Sequence, residues 1–339
     1  MFLSNLKQRK GAAWAMAAMI SLALSSCDSS FVYEDLRPCV PEYRVRLSYD
    51  YNMSGAQKVS DVHAAEVYAF DKEGKLAAVS RADRQTLIDN DWTLPIDLER
   101  SQDYDLVVWG GLTDESPFSL DGTRAVTTKE DLTCRLGTET DASGRNVSAS
   151  RFPSHLFHST TSVRYEVEDG PEERTVDLIK NTNLIDVLIR STRNEALVAS
   201  DYNVEITDVN GVMGHDNSVS GEVVYQPARW LSGEYNISDG EGGYTTEADY
   251  AVVAEMHHGR LMADSQAELL ITRTDTGDEF FRSNLIDLFM KLKNRIAPGM
   301  DLQEYLDRQD YYRIDLVLTT HVTVYINGYR VIENNMEWN

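Results

Sequence analysis

The fold of this chain is indicated by one stretch near its end, Val322-Thr323-Val324-Tyr325-Ile326-Asn327-Gly328-Tyr329-Arg330-Val331-Ile332. Apolar and polar side chains alternate before the central Asn-Gly pair, which is typical of a strand with one buried face, and a second short apolar segment follows it. Asn-Gly between two such segments is a strong hairpin signal, because both turn residues have to adopt a positive φ. The stretch therefore predicts a β-hairpin.

Further strands are predicted upstream from the same alternation or from short apolar segments bounded by turns. They are Tyr43–Tyr49, Glu66–Phe70, Tyr104–Trp109, Leu184–Arg190, Tyr202–Ile206, Tyr250–Met256 and Ile314–Leu318. The Tyr104–Trp109 segment is apolar on both faces toward its end, as expected of a central strand. Turns are predicted at 71–75, where Gly74 supplies a positive φ, and at Asn210-Gly211.

One segment departs from the strand pattern and predicts a helix over Ser283–Ile296. Its apolar residues fall on one helical stripe, and Pro298-Gly299 ends it. A second short helix is expected over Asp301–Arg308. Many short strands with little helix favour an all-β fold of two β-sandwiches in tandem. We expect the first over residues 39–170 and the second, with one or two short helices, over residues 171–339.

The N-terminal segment has the pattern of a secretion signal. Three basic residues precede an apolar segment, Ala12–Leu24, which is too short for a stable membrane span. The small residues of Leu24-Ser25-Ser26-Cys27 form a bacterial lipobox, so we expect residues 1–26 to be removed and Cys27 to be acylated. Two or more acyl chains would hold the protein at a bilayer, with residues 27–38 as a spacer. The alternative is an ordinary cleaved signal with a chance cysteine.

The net charge narrows the classes of partner, and the two remaining cysteines predict a disulfide. The formal net charge is −23 at pH 7, which disfavours nucleic acid and anionic lipid headgroups as partners. An export signal implies an oxidising compartment, so Cys39 and Cys134 are predicted to form a disulfide. Two free buried thiols are the alternative.

A search for catalytic or metal-binding patterns finds little. His155 and His158 do not lie in a predicted helix, and His257 and His258 follow a strand, so strand-end or solvated histidines are the expected interpretation. The segment 208–211, Asp-Val-Asn-Gly, lacks the spaced ligands of a calcium loop and is interpreted as a hairpin turn. Neither a nucleophile elbow nor a phosphate-binding loop is present. We predict no enzyme activity, metal or cofactor, although carboxylates that converge only in space are not excluded.

Several segments, taken together and in order, resemble the FimB/Mfa-type fimbrial anchor lipoproteins of Bacteroides-like bacteria. They are the lipobox with the following Pro38-Cys39, Val45–Asp50, Val67–Gly74, Tyr104–Gly111, Leu156–His158, Leu302–Arg308 and Val324–Tyr329. The resemblance implies transthyretin-like sandwich domains and no catalysis. It also implies a protein of the cell outer membrane, held there by its N-terminal lipid, at the base of a fimbria. Its partners would be fimbrillin shaft or accessory subunits, which polymerise by exchange of a donor strand.

The resemblance also gives an expectation for each end of the mature chain. The Tyr43–Tyr49 strand would stay in its own sheet, so that the polymer cannot grow past the anchor. The terminal hairpin would leave an edge able to pair with a partner. The residues predicted to contact that partner are Val322, Val324, Ile326, Tyr329 and Val331. The alternative is that this hairpin only completes the second sandwich.

Two other function classes stay open at this point. A surface glycan-binding lipoprotein would place several tryptophans together on one exposed face. A lipid-anchored hydrolase would need convergent carboxylates or a nucleophile, and a deep acidic cleft would favour it.

Overall fold

The computed structural model describes residues 43–55, 58–121, 125–166, 172–191, 197–318 and 322–334. They belong to one compact unit that runs from Pro41 to Asn339. In the first half the strands are β1 (Tyr43–Ser48), β2 (Ala64–Phe70), β3 (Leu76–Asp83), β4 (Thr93–Ile96), β5 (Gln102–Gly110), β6 (Phe118–Leu120), β7 (Cys134–Leu136), β8 (Glu139–Thr140), β9 (Asn146–Ser148), β10 (Phe157–Tyr165), β11 (Glu172–Asp177) and β12 (Ile179–Lys180). In the second half they are β13 (Asn183–Ser191), β14 (Tyr202–Met213), β15 (Val219–Tyr225), β16 (Arg229–Ser238), β17 (Tyr244–His258), β18 (Glu268–Arg273), β19 (Glu279–Asn284), β20 (Tyr311–Leu318), β21 (Val322–Ile326) and β22 (Tyr329–Asn334).

The described helices are short and begin at side-chain caps. They are α1 (Arg84–Asp89), α2 (Leu285–Ile296) and α3 (Leu302–Arg308). Asn284 caps α2 by accepting a hydrogen bond from the backbone N–H of Asp287, and Asp301 caps α3 in the same way. The sequence predicts both helices of the second half, α2 from its apolar stripe, and both predictions are confirmed. The sequence pattern did not predict α1, which has only one buried residue, Leu87.

The first sandwich contains a three-stranded sheet, β11-β1-β4, and a five-stranded sheet, β12-β10-β5-β2-β3. Residues of both sheets share one apolar cluster, to which Val45 of β1 and Val108 of β5 belong. The middle strand β5 is buried on its second face as well, where Val107 and Trp109 join a larger cluster. The prediction of a central strand at Tyr104–Trp109 is therefore confirmed.

The second sandwich contains the six-stranded sheet β16-β17-β13-β20-β21-β22 and the sheet β19-β18-β14-β15-β9-β8, to which β6 and β7 attach. The larger cluster joins the two sheets and the apolar face of α2, for example through Ile189, Val204 and Leu288. The all-β prediction, with sandwich-like domains, is confirmed.

The two sandwiches exchange strands along the chain. β7 and β9 pair with β14 and β15 of the second half. β11 and β12, which follow residue 170, pair with β1 and β10 of the first half. A domain boundary at residue 170 stays a prediction.

The turn predicted at Asn210-Gly211 is wrong. β14 continues through both residues, and its pairing with β15 shifts register between Val209 and Val212, as in a β-bulge. The Asn210 side chain is buried and donates to Asp208 Oδ2 (3.0 Å) and to the Arg260 carbonyl (2.8 Å). A Cβ on Gly211 would lie 2.5 Å from a methyl group of Val223. The glycine is therefore needed for close packing of β14 on β15 and does not mark a turn.

Candidate assembly surface

The terminal hairpin has the predicted geometry and ends the six-stranded sheet. Asn327 and Gly328 have φ values of 48° and 84°, so both adopt the left-handed conformation. β21 lies between β20 and β22, and β22 is the last strand in the order of this sheet. An edge strand of this kind presents backbone groups that another strand can pair with.

The five residues predicted to contact a partner occupy two different environments. Val322, Val324 and Ile326 are buried, with exposed fractions of 2%, 0% and 0%, and belong to the core of the second sandwich. Tyr329 and Val331 lie on β22 and are half-buried. Partner contact by these residues stays a prediction. Of the five, the two on β22 are the ones that a partner could reach directly.

The turn of the hairpin is fixed to β20 by one asparagine side chain. The Asn327 Oδ1 atom accepts from the backbone N–H of Arg313 (2.8 Å), and its Nδ2 atom donates to the Tyr311 carbonyl (3.1 Å). The Asn327 N–H also donates to the Arg313 carbonyl at 3.0 Å. These bonds hold the turn in place and, with it, the start of β22.

A long hairpin from the opposite edge of the sheet reaches across to this turn. β16 and β17 pair from Arg229 and Glu255 to Ser238 and Tyr244, whereas β17 pairs with β13 only as far as Ala251 and Arg190. We call the part beyond that point, residues 233–250, the flap. The backbone of its tip pairs with Tyr329 of β22, at the opposite edge of the sheet. The flap therefore spans the face of the sheet that points away from the core.

A buried ion pair lies beneath the flap. Arg190 and Asp315 are each 1% exposed, and Arg190 Nη2 lies 3.3 Å from Asp315 Oδ1. Arg190 also donates to the carbonyls of Tyr235 (2.8 Å) and Asn236 (3.0 Å), and the Ser238 hydroxyl donates to Asp315 Oδ2 (2.7 Å). Buried charges are destabilising unless such hydrogen bonds satisfy them. The flap and the ion pair therefore depend on each other.

The flap tip bonds to backbone groups of the hairpin turn and of the start of β22. The Gly240 N–H donates to the Gly328 carbonyl (3.0 Å), and the Arg330 N–H donates to the Gly240 carbonyl (3.2 Å). From α2, Arg295 Nη1 donates to the carbonyls of Gly240 (3.2 Å) and Arg330 (3.0 Å). One guanidinium thus joins helix, flap and edge strand.

A ring contact adds to this junction. Gly242 has a φ of 97°, and a Cβ at this position would lie 2.2 Å from the Tyr329 ring. The Arg295 guanidinium lies 5.7 Å from the centroid of the same ring. Only glycine allows the tip to approach this closely. Local sequence patterns do not predict the flap, and its one signal in the sequence is the presence of Arg190 and Asp315 within otherwise apolar strands.

At the other end of the described chain, β1 is paired on both sides. It runs parallel to β11 and antiparallel to β4, with the register Val45 to Arg174 and Val45 to Leu94. Tyr43, Val45 and Leu47 are buried, and burial raises the pKa of Tyr43 to about 12. Removing this strand would open the first core.

A second buried polar cluster lies where the two halves of the chain meet. Arg260 and Asp307 form a paired contact, with Arg260 Nη2 3.0 Å from both carboxylate oxygens of Asp307. The Asn181 and Asn217 amides bond to each other, and Lys180 forms an ion pair with Asp310. These contacts connect the β12–β13 link to the second half.

Of the four histidines discussed above, His158, His257 and His258 lie at strand ends and His155 precedes β10, and two of the four are buried rather than solvated. His158 and His258 are 1% and 0% exposed, because they pack against Trp109 and Tyr225 respectively. Burial lowers the pKa of His158 to about 3. Within the described residues no group of three or more histidine, cysteine or acidic side chains is arranged to hold a metal ion.

The tryptophans give no aromatic platform in the part of the chain that is described. Trp109 is buried, and Trp92 and Trp230 are half-buried in different sandwiches. Exposed aromatic rings are tyrosines, among them Tyr244 and Tyr311 at 42% and 40% exposure.

Two of the three cysteines, Cys27 and Cys39, lie outside the described residues. Cys134 is buried in the core, and burial raises the pKa of its thiol. Lipidation at Cys27 and the disulfide between Cys39 and Cys134 therefore stay predictions. None of the helices in the described ranges is long and apolar enough to span a membrane.

Comparison with known proteins places the chain among fimbrial proteins. The sequence model of the family described as fimbrillin-A associated anchor proteins Mfa1 and Mfa2 matches residues 37–335. No curated protein matches the sequence.

Solved structures share the fold over most of the chain. A candidate polysaccharide-binding protein from Bacteroides thetaiotaomicron is 26% identical, with a TM-score of 0.69 and coverage of 87% of this chain and 99% of that one. A candidate adhesin from the same organism is 24% identical, with a TM-score of 0.72 and coverage of 88% and 100%. The fimbrial anchor protein Mfa2 from Porphyromonas gingivalis is 19% identical, with a TM-score of 0.62 and coverage of 86% and 99%.

Proposed function

This chain belongs to the family of fimbrillin-A associated anchor proteins, and we propose that it is the base subunit that attaches fimbriae to the outer membrane. Membership makes it a fimbria-associated protein of the cell surface, in a family of structural proteins rather than of known enzymes. The family match over residues 37–335 is the observation that carries the proposal.

The proposed membrane attachment is the acylated Cys27. The lipobox and the basic, apolar signal segment before it support this assignment. Residues 27–38 would then separate the folded part from the bilayer. Two or more acyl chains give nearly permanent attachment, since each buried methylene contributes about 0.8 kcal/mol.

The proposed contact with the fimbria is the edge of β22. An extended strand from a fimbrillin shaft or accessory subunit would pair with its backbone, and pockets along the edge would select side chains. Tyr329 and Val331 lie on this strand and would contact the partner directly. Val322, Val324 and Ile326 would support the edge from the core, since all three are buried.

The pairing of β1 supports a role in ending the polymer. Since β11 and β4 flank it and its apolar side chains fill the first core, β1 does not leave a groove for another strand. Growth of the fimbria would then be possible in one direction only, away from the membrane. The proposed base subunit would therefore limit assembly at its own end.

The proposal is tested in the native host with the full chain. Fimbriae on cells and in cleared medium are quantified for wild type, a deletion strain and the strain carrying Cys27→Ala, with Ser30→Ala as a matched control beside the lipobox. We expect fimbriae to be released into the medium in the deletion strain and in Cys27→Ala, but not in Ser30→Ala. Attachment unchanged in both the deletion strain and Cys27→Ala would refute the anchor function.

A second candidate function is binding of surface glycans. It is favoured by the 26% identity to a candidate polysaccharide-binding protein over 87% of this chain. Glycan arrays probed with the purified full chain would test it. Saturable binding to a defined glycan would support this function, and no binding at any concentration would exclude it.

A further inference from the structure

We infer that the flap is a latch on the edge of β22, which has to lift before a partner strand can pair along the whole of that edge. The inference rests on the proposed function, because it concerns access to the proposed partner-binding edge. The kind of partner it controls is an extended peptide strand, such as one supplied by a fimbrial subunit.

The first reason is that the flap tip already uses the backbone groups a partner would need. β22 is six residues long, Tyr329–Asn334. At Arg330 the N–H is bonded to Gly240 and the carbonyl to Arg295. With the flap in place, an incoming strand finds only the later part of the edge, residues 331–334. Lifting the flap would lengthen the available edge toward the turn.

The second reason is that the flap is held mainly by polar contacts and buries little apolar surface. Residues 244–248, in the first part of β17, are all exposed. The flap is attached by hydrogen bonds from Arg190, Arg313 and Arg295 to its backbone carbonyls. Segments with few buried apolar contacts open at a lower free energy than core strands do. The flap can therefore open while the core of the sandwich stays folded.

The third reason is that the tip is shaped for this contact. Asp239 Oδ1 accepts from the N–H groups of Glu241 (2.8 Å) and Gly243 (2.9 Å), which fixes the turn at the tip. Gly240 and Gly242 have φ values of 89° and 97°, a conformation that favours glycine. The turn is thus ordered by itself and docks as a unit against Tyr329.

The latch can be locked with a designed disulfide. A Cβ placed on Gly240 lies 3.8 Å from the Arg330 Cβ, within the range found in disulfides. In the native host, Gly240→Cys combined with Arg330→Cys should therefore close the edge. We expect this double variant to release fimbriae into the medium, while each single variant retains them. Retention of fimbriae by the double variant, with the disulfide shown to be formed, would overturn the latch.

The latch can also be loosened, and this readout needs no partner. In the purified full chain, Arg295→Ala and Gly242→Ala should speed hydrogen exchange of the Arg330 and Gly240 amides, whose N–H groups bond across the latch, at least about tenfold. Arg282→Ala is the control for a lost surface arginine. Gly277→Ala is the control for Gly242→Ala, since Gly277 has a φ of 76° but no atom within 4 Å of its added Cβ. Unchanged exchange in both test variants would contradict the latch.

The two experiments separate the latch from the function on which it rests. Faster exchange together with loss of attachment in the locked variant supports both. Faster exchange in the purified variants, combined with a deletion strain that keeps its fimbriae, would refute the anchor function and the control of partner access. The contact between the flap and β22 would still stand. Unchanged exchange, with fimbriae lost on deletion, would refute the latch alone.

Discussion

Replacing Val324 by alanine tests whether the apolar residues of the terminal hairpin belong to the core or to a partner-binding surface. Val324 is 0% exposed and lies in β21, between β20 and β22. The substitution removes two methylene equivalents from the core, which lowers the free energy of unfolding by about 1.6 kcal/mol at about 0.8 kcal/mol each. The cavity left by the two methyl groups lowers the free energy of unfolding further, by at most about 1 kcal/mol, because the flanking strands on both sides restrict collapse of the backbone.

Thr323→Ala is the matched control in the same strand. Thr323 is half-buried, outside the core cluster, and pairs with Val317 and Glu333. Its loss should lower the free energy of unfolding by less than about 1 kcal/mol, the range of strand propensities. Urea denaturation of the purified chain, followed by circular dichroism, measures both values. Equal stability of wild type and Val324→Ala would refute the core assignment, as would a larger loss in Thr323→Ala.

Two further predictions concern buried polar groups. Asp307→Asn should lower the free energy of unfolding, measured in urea, by about 3 kcal/mol, because it leaves Arg260 buried without its countercharge. The exposed control Asp278→Asn should change the free energy of unfolding little. Equal effects of the two substitutions would contradict the role of the pair. His158 is neutral in the folded chain because burial lowers its pKa to about 3, whereas the unfolded chain binds a proton below about pH 6.5. The stability from this residue is present above about pH 6.5 and is lost as the pH falls, by about 2 kcal/mol between pH 7 and pH 5. His158→Gln should remove that part of the pH dependence in urea titrations at the two pH values, and an unchanged dependence would refute the assignment.

Local patterns were sufficient where the structure is decided by neighbouring residues. The Asn327-Gly328 turn, the central strand β5 and the helix α2 follow from alternation, from apolar composition and from one amphipathic stripe. In the hairpin and in α2 the buried face is repeated at the period of the element itself, whereas β5 is recognised by being apolar on both faces.

Local patterns failed where a distant partner decides the outcome. Asn210-Gly211 has the composition of a turn, but the buried carboxylate of Asp208 and the Arg260 carbonyl bind the Asn210 amide and keep the strand continuous. Alternation predicts a strand at Tyr250–Met256 but does not show where its upstream half leaves the sheet. The path of the flap is decided by Arg190 and Arg295, which lie far from it in the chain.

The candidate site could be predicted only in part, because some of its features are local and others depend on distant residues. The terminal hairpin is a local feature, so its existence and its turn follow from the sequence. Which of its residues are accessible depends on the position of β21 inside the sheet, and this is a property of the whole fold. The closure of its edge by the flap tip was outside the reach of any local pattern.

The most direct test of the proposed base position is to locate the chain on intact fimbriae. Fimbriae are detached from wild-type cells with detergent and labelled with gold-conjugated antibody against the folded region, and a deletion strain serves as the control for labelling. We predict label at one end of each fimbria, the end that faced the cell. Label distributed along the shafts, or fimbriae with no label at either end, would contradict the assignment of this chain as the fimbrial base.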